Sequence, residues 1–557
     1  MRRFDRRTNN HCPALTIEVH RERSLNRTAN EMYQKTCTGI RWRRASLQRA
    51  VLWGLATLAF LLASFTSNHY WDEYFYLYSV RHHSPLALLT MESVLAEGLF
   101  PYGFFTAKFG FVTFLWALVS VTGDGPLALA VIRLVFAGLT VGLAAASYQV
   151  VRCLNDEKEA SATALVLLFL PVSLYLGFKT LSEVPSLLLA TIASWQFLAS
   201  FRAESSRAVR ARLLLAAVAL ALASLFRFTT GIFFGGLVLA LLAVPDERFP
   251  RRAVIARAAA IVGLHVVLAG LVYAAFVGLP IDRFEAMVVS VTERQRGLNL
   301  KVYAVALTLQ LFALPVAVAL LGGWTRSVKL VGVWLAACMV PVLAASHIEP
   351  RYFYMGLLPL AMLAAAGLRI ASARLRLGEA QGWLILGVLL VVFNRIGFVP
   401  LMPYEINEKD YARLMRMTEE RQPGGTYLIP WLADYCYLAF TFPERVLVLT
   451  MSRTSGKVSV FETPEFRRWV GTGRYSGSLE ALLDIPQPWI YVGWTYNPTI
   501  LTLKERLRWL RIGYLEGIES RERLMNHLAQ SWIWGQDHLR LGEIAVAGRY
   551  YGFQVVR

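Results

Sequence analysis

Apolar stretches of spanning length recur in this chain from about residue 50 to about residue 400, and they limit the possible folds more than any motif does. A bilayer core offers no water to satisfy backbone N–H and C=O groups, so a spanning segment is either a helix or part of a closed barrel. Runs this long read as helices. The composition agrees, with 56% hydrophobic residues and only 17% charged, and a mean hydropathy of +0.44. The expected fold class is a polytopic α-helical membrane protein. Its candidate spans are 50–66, 101–121, 127–150, 160–178, 183–201, 212–229, 231–245, 258–280, 302–321, 328–346, 352–370 and 381–399.

Charge sets the sidedness. The net charge of +19 could serve nucleic acid or anionic lipid, but the arginines sit in "RRFDRR", "RERSLNR" and "RWRR" ahead of the first span and in short loops after it, so topology accounts for them and no nucleic-acid partner is expected. The basic connections 202–212, 246–257, 322–329 and 369–376 should share the cytoplasmic side with the tail 1–47. That count puts 281–300, 347–351 and the chain after 400 outside. Four full crossings between 100 and 201 would break it. The stretch 101–121, interrupted by Lys108, is therefore expected to be a surface or re-entrant helix, for a total of about 11 to 13 transmembrane helices. The first apolar run starts too far into the chain for a secretory signal peptide. The protein is thus read as a multi-pass protein of a bacterial cytoplasmic membrane, in contact with membrane lipids, with domains 1–47, 48–400 and 401–557.

After residue 400 the texture changes. "GGTYLIPW", "RVLVLT", "PWIYVGW" and "GEIAVAGRYYGFQVV" read as short strands and 408–421 and 503–512 as charged helices, which predicts an extracytoplasmic α/β domain. Neither GxGxxG nor GxxxxGK[ST] follows a strand, so energy coupling by nucleotide has no fingerprint. The five cysteines, Cys12, Cys37, Cys153, Cys338 and Cys436, show no metal-ligand spacing and no disulfide framework.

Chemistry-bearing residues cluster on the expected outer side. In "SNHYWDEYFYLYSVRHHSP", part of the first outer loop 67–100, Asp72 and Glu73 stand among aromatics with His69, His82 and His83 nearby. The pair is either a solvated face or a tuned base held in an interfacial aromatic belt. "SHIEPRYFY" places His347, Glu349 and Arg351 within five residues. There Arg351 can bind a phosphate with its planar fork, or it can simply pair with Glu349 at a span boundary. Arg227 in "SLFRFTTG" needs a partner, which an anionic lipid phosphate or bulk headgroups could supply. Glu183 in "LSEVP" and Arg133 in "AVIRLVF" are similar, and an internal Arg133–Glu183 pair would serve packing. Loop 281–300, with Arg283, Arg294 and Arg296, is either a mobile gate or a charged connection. The aromatics of "YLIPWLADYCYLAF", "WIYVGWTY" and "WIWGQD" either stack on sugar rings or rest the domain on the membrane.

The order of these segments, an aromatic-acidic loop after the first span, then "LSEVP", "RFTTG" and "HIEPRY", resembles the GT-C superfamily of integral-membrane glycosyltransferases over roughly 50–400. Within it the chain is similar to the mannosyltransferases that use polyprenyl-phosphate sugars, and to the protein mannosyltransferase and aminoarabinose transferase branches. The resemblance implies an inverting transfer of sugar from a polyprenyl-phosphate donor to a lipid-linked, glycan or protein acceptor. It implies Asp72 as the base with Glu73 adjacent, and Arg227, His347, Glu349 and Arg351 around the donor phosphate. No cofactor is then demanded, with a divalent cation as the alternative. A transporter or flippase, and a ligase taking pyrophosphate-linked donors, are the competing readings.

Overall fold

The computed structural model describes residues 53–61, 69–90, 108–276, 313–344 and 350–376. Beyond residue 400 it describes 405–406, 408–429, 432–452, 458–461, 466, 482–483, 485, 487–494, 540–547 and 550–556. The chain divides into Met1–Ala59 and Phe60–Arg557, and the architecture below is that of the second unit.

The bundle is built from α1 (Trp71–His82), α2 (Phe109–Thr122), α3 (Gly125–Leu154), α4 (Glu157–Phe169), α5 (Pro171–Leu176), α6 (Glu183–Ser200), α7 (Ser206–Phe226), α8 (Gly231–Ala243), α9 (Arg251–Phe276), α10 (Ala313–Gly322), α11 (Arg326–Ala344) and α12 (Leu357–Arg374). Among the described residues four helices are long and apolar enough to cross a membrane: Gly125–Leu154, Ser206–Phe226, Arg251–Ala275 and Phe353–Arg374. The expected span 381–399 lies outside the described residues. Local chemistry sets several boundaries. Asp156 accepts the Glu159 N–H ahead of α4, and Ser205 accepts the Ala208 N–H ahead of α7, each satisfying a donor that the first helical turn leaves open.

One expected span is not continuous. The stretch 160–178 divides into α4 and α5 at Leu170, whose ψ of 140° is extended, because Pro171 has no N–H to give and disfavours a helical residue before it.

The four basic connections meet at one end of the bundle, together with the turn after α3. Arg202 donates to the Cys153 carbonyl at 2.9 Å and Arg248 to that of Leu154 at 2.8 Å. Arg326 donates to the Pro245 carbonyl at 3.0 Å and pairs with Asp246, Arg369 faces Glu159 at 3.5 Å, and Arg374 reaches the Gly322 carbonyl at 3.2 Å. Arg202, Arg248, Arg326 and Arg374 cover helix C-termini, whose last carbonyls lack intrahelical partners. Burial alone would raise the Asp246 carboxyl, but its hydrogen bonds from Arg248 and Arg326 outweigh that and hold it down at about 2.

Helix α2 does not run to this basic end. Gly110 lies against Leu225 and Phe226 at the end of α7, and Asp124, just past the other end of α2, pairs with Arg81 of α1 at 2.5 Å. Lys108, just ahead of α2, donates to the Tyr76 hydroxyl, so both ends of α2 stay with α1.

After residue 400 a six-stranded open sheet has the order β5-β4-β3-β6-β8-β7, from β3 (Thr426–Ile429), β4 (Leu447–Ser452), β5 (Val458–Phe461), β6 (Trp489–Trp494), β7 (Arg540–Ala547) and β8 (Tyr550–Val556). β3 runs parallel to β4 and β6 at the centre, and the outer pairs are antiparallel. The four stretches read as strands form β3, β4, β6 and the β7–β8 hairpin, with β5 unanticipated. The expected helix 408–421 is α13 (Glu408–Arg421), and α14 (Leu432–Thr441) follows β3. The expected helix 503–512 lies outside the described residues. Cys153, Cys338 and Cys436 are free and buried.

Candidate active site

Helix α1 carries the Asp72–Glu73 pair, and its surroundings differ from those expected. Every residue from Glu73 to Val80 is buried, so Tyr74, Phe75, Tyr76 and Tyr78 do not form an interfacial belt. A helix buried all round needs neighbours on every side. On one side are α2 and the 179–183 segment; on the other is the chain after residue 400. β1 (His69–Tyr70) pairs antiparallel with β2 (Glu405–Ile406), the Tyr74 ring meets Tyr437 edge-on at 4.8 Å, Tyr78 meets Tyr435 at 5.7 Å, and Arg81 donates to the Ala439 carbonyl at 2.6 Å. Tyr427, Tyr435, Tyr437 and Tyr491, read from sequence as possible sugar platforms, are buried in this packing and in the sheet. Their faces are taken up by protein, not offered to a ring.

Within α1 the two carboxylates part company. Glu73 is fully buried and accepts the Thr180 N–H at 2.6 Å, while Asp72, one residue nearer the helix start, keeps partial exposure. Both sit in the first turn, where backbone N–H groups favour negative charge. His82 and His83 lie at the far end of α1, about 15 Å along its axis from Asp72. The His82 ring packs on Tyr78 at 4.6 Å.

The 179–183 segment links α1 to a second cluster. Glu183, 1% exposed, opens α6 and pairs with Arg227 at 2.8 Å; the same guanidinium donates to Ser182 Oγ at 3.3 Å. Arg227 ends α7 and lies over the ring of Tyr354, 5.2 Å from its centre, and the Tyr354 hydroxyl bonds to those of Thr229 and Thr230 at 3.2 and 2.9 Å. Tyr354 belongs to the 3-10 turn Pro350–Gly356, which also carries the Arg351 backbone. The segments "LSEVP", "RFTTG" and "PRYFY" thus converge. His347, Glu349, Arg294 and Arg296 lie outside the described residues.

The suggested Arg133–Glu183 pair does not form. Glu183 is taken by Arg227, and Arg133, on the face of α3 turned toward the chain after 400, pairs with Glu408 at the start of α13. Tyr74 donates to the same Glu408 oxygen. Burial first, then the Glu408 charge, push the Tyr74 hydroxyl well above its ordinary value, so it remains a donor. Sequence reading missed Glu408 and the buried Lys179. Among the described residues no group of three or more His, Cys, Asp or Glu side chains is placed to hold a metal ion.

No family model matches the chain. No curated protein matches it either. Solved structures do. The chain superposes on the crystal structure of ArnT from Cupriavidus metallidurans bound to undecaprenyl phosphate with a TM-score of 0.52 and 14% identity, over 91% of this chain and 97% of that one. The apo form of the same protein gives 0.51 and 14%, over 92% and 98%. The likeness is one of fold, and it extends through the region after residue 400. A largely helical body with membrane-length apolar helices, followed by a small open sheet, is therefore an architecture this chain shares with ArnT.

Proposed function

We propose that the protein is an inverting glycosyltransferase that moves a sugar from a polyprenyl-phosphate donor to a hydroxyl of a lipid-linked, glycan or protein acceptor. The observation that carries this reading is the whole-length fold likeness to ArnT, a protein solved with undecaprenyl phosphate bound. It is supported by the convergence of the Asp72 helix, the Glu183–Arg227 pair and the Pro350–Gly356 turn at the end opposite the basic connections. In this reading the basic end and the N-terminus are cytoplasmic, and the site and the region after 400 are extracytoplasmic.

Asp72 is the base. Glu73 is fully buried with its carboxylate on the Thr180 N–H, whereas Asp72 is partly exposed at the helix start, within reach of an incoming hydroxyl. The acceptor oxygen bonds to the anomeric carbon as Asp72 takes its proton; the bond from that carbon to the phosphate oxygen breaks on the opposite face, and its electron pair leaves with the polyprenyl phosphate. Arg351 and Arg227 offset the charge that develops on the leaving phosphate. Arg227 works from a fixed position, because Glu183 and Ser182 hold its guanidinium.

Incubating the purified protein with radiolabelled polyprenyl-phosphate sugars and a membrane lipid extract tests the reading. A labelled glycolipid or glycoprotein is expected. Translocation of the labelled lipid without a transfer product would establish a flippase instead, and use of pyrophosphate donors alone a ligase. Asp72→Asn should insert and fold normally yet transfer at least about 100-fold more slowly; near-normal turnover would remove Asp72 as the base.

A further inference from the structure

The residue that closes the candidate site on the far side of α1 comes from beyond residue 400. Glu408 stands in the first turn of α13 with its side chain 19% exposed, and one of its oxygens accepts from two bundle residues, the Tyr74 hydroxyl of α1 and the Arg133 guanidinium of α3. Tyr437 of α14 donates to the Glu408 backbone carbonyl at 3.5 Å and packs edge-on against the Tyr74 ring. Arg133 is also within electrostatic reach of Glu73. A single carboxylate therefore joins three elements around the first turn of α1. On the opposite side the same turn is tied by Glu73 to Thr180. Asp72, which precedes both anchored residues, has its backbone direction set from both sides.

We infer that Glu408 is a positioning residue for the proposed sugar transfer: by holding Tyr74 and Arg133 it fixes α1 so that the Asp72 carboxylate meets the acceptor hydroxyl in line with the anomeric carbon. The inference rests on the transferase reading. Glu408 needs no contact with either substrate, so its loss should affect the transfer step and not donor binding. Displacements of about 1 Å at a reacting group reach roughly 100-fold in rate.

The test uses the full chain in detergent and the radiolabelled polyprenyl-phosphate sugar that the unaltered chain consumes. Glu408→Gln keeps the shape and weakens the ionic hold. It is expected to lower kcat roughly tenfold or more, with KM for the donor within about threefold. Tyr74→Phe, which removes only a hydroxyl, should lower kcat in the same way. The double variant should lose less than the product of the two single losses, because both substitutions release the same contact. If Glu408→Gln fails to fold, Tyr74→Phe carries the test alone. Unchanged kcat per folded molecule in a folded variant, or losses that multiply independently, would overturn the role of Glu408. Absence of transfer by the unaltered chain overturns the reaction itself.

Discussion

At the scale of single residues, the charges inside the bundle are compensated in pairs drawn from distant parts of the chain. Glu183 is 1% exposed and Arg227 14%. Removing one partner of such a pair strands a buried charge, whereas replacing both by neutral groups can cost little. Arg227→Ala should therefore destabilise the protein by about 3 kcal/mol, read as a lower thermal unfolding midpoint in detergent, and Glu183→Gln added to it should recover much of the loss. No recovery would mean that the guanidinium stabilises through contacts other than Glu183, such as Tyr354 and Ser182. Sequence reading singled out Arg133, Glu183 and Arg227 because a charge among apolar residues requires a partner. It could not name the partners. Arg133 meets Glu408 across 275 positions, and Glu408 sits in a segment whose pattern is that of an ordinary solvated amphipathic helix. The Asp72–Glu73 pair was legible as a pair, and only packing divides it, since burial of Glu73 depends on the 179–183 segment.

Among the elements, the short α5 and the turn after it set how closely α1 can approach. Gly177 ends α5, and a Cβ there would lie 2.5 Å from the Ser173 carbonyl oxygen and 2.7 Å from the Phe60 ring. The first of these is backbone and cannot swing aside. Gly177→Ala should cost about 1 to 3 kcal/mol and loosen Thr180 from Glu73, seen as a lower unfolding midpoint together with faster amide hydrogen exchange at 178–182. A normal midpoint would show that the turn can shift without strain. Elements of strong hydropathy were read well: α3, α6, α7, α8 and α12 all fall on candidate spans. The split of 160–178 was missed because hydropathy does not register the missing N–H of Pro171. Helix α1 was missed as a helix altogether. Its residues are polar and aromatic, with no apolar stripe to betray a period, because it is enclosed by the bundle and the segments after residue 400 together.

For the molecule as a whole, the region after residue 400 forms a wall of the candidate site. A chain ending at residue 400 would take Tyr437 from Tyr74, Tyr435 from Tyr78 and Glu408 from Arg133. Such a chain should give little monodisperse protein in detergent chromatography and no transfer activity. A well-behaved, active truncation would show that α1 is held by the bundle alone. The strands after residue 400 were legible from their texture and alternation; the packing of α1 against the segments after 400 had no local signal.

The long separation of the α1 contacts also orders events during synthesis. Tyr74 and Glu408 are 334 positions apart, and Arg81 and Ala439 are 358 apart. At roughly 5 to 20 residues per second, the ribosome needs on the order of 20 to 70 s between making α1 and making the segments that enclose it. A nascent chain that has not yet reached these segments would lack the contacts that Glu408 and Ala439 give to α1, so the first acidic turn of α1 takes up its final surroundings only after they have been made.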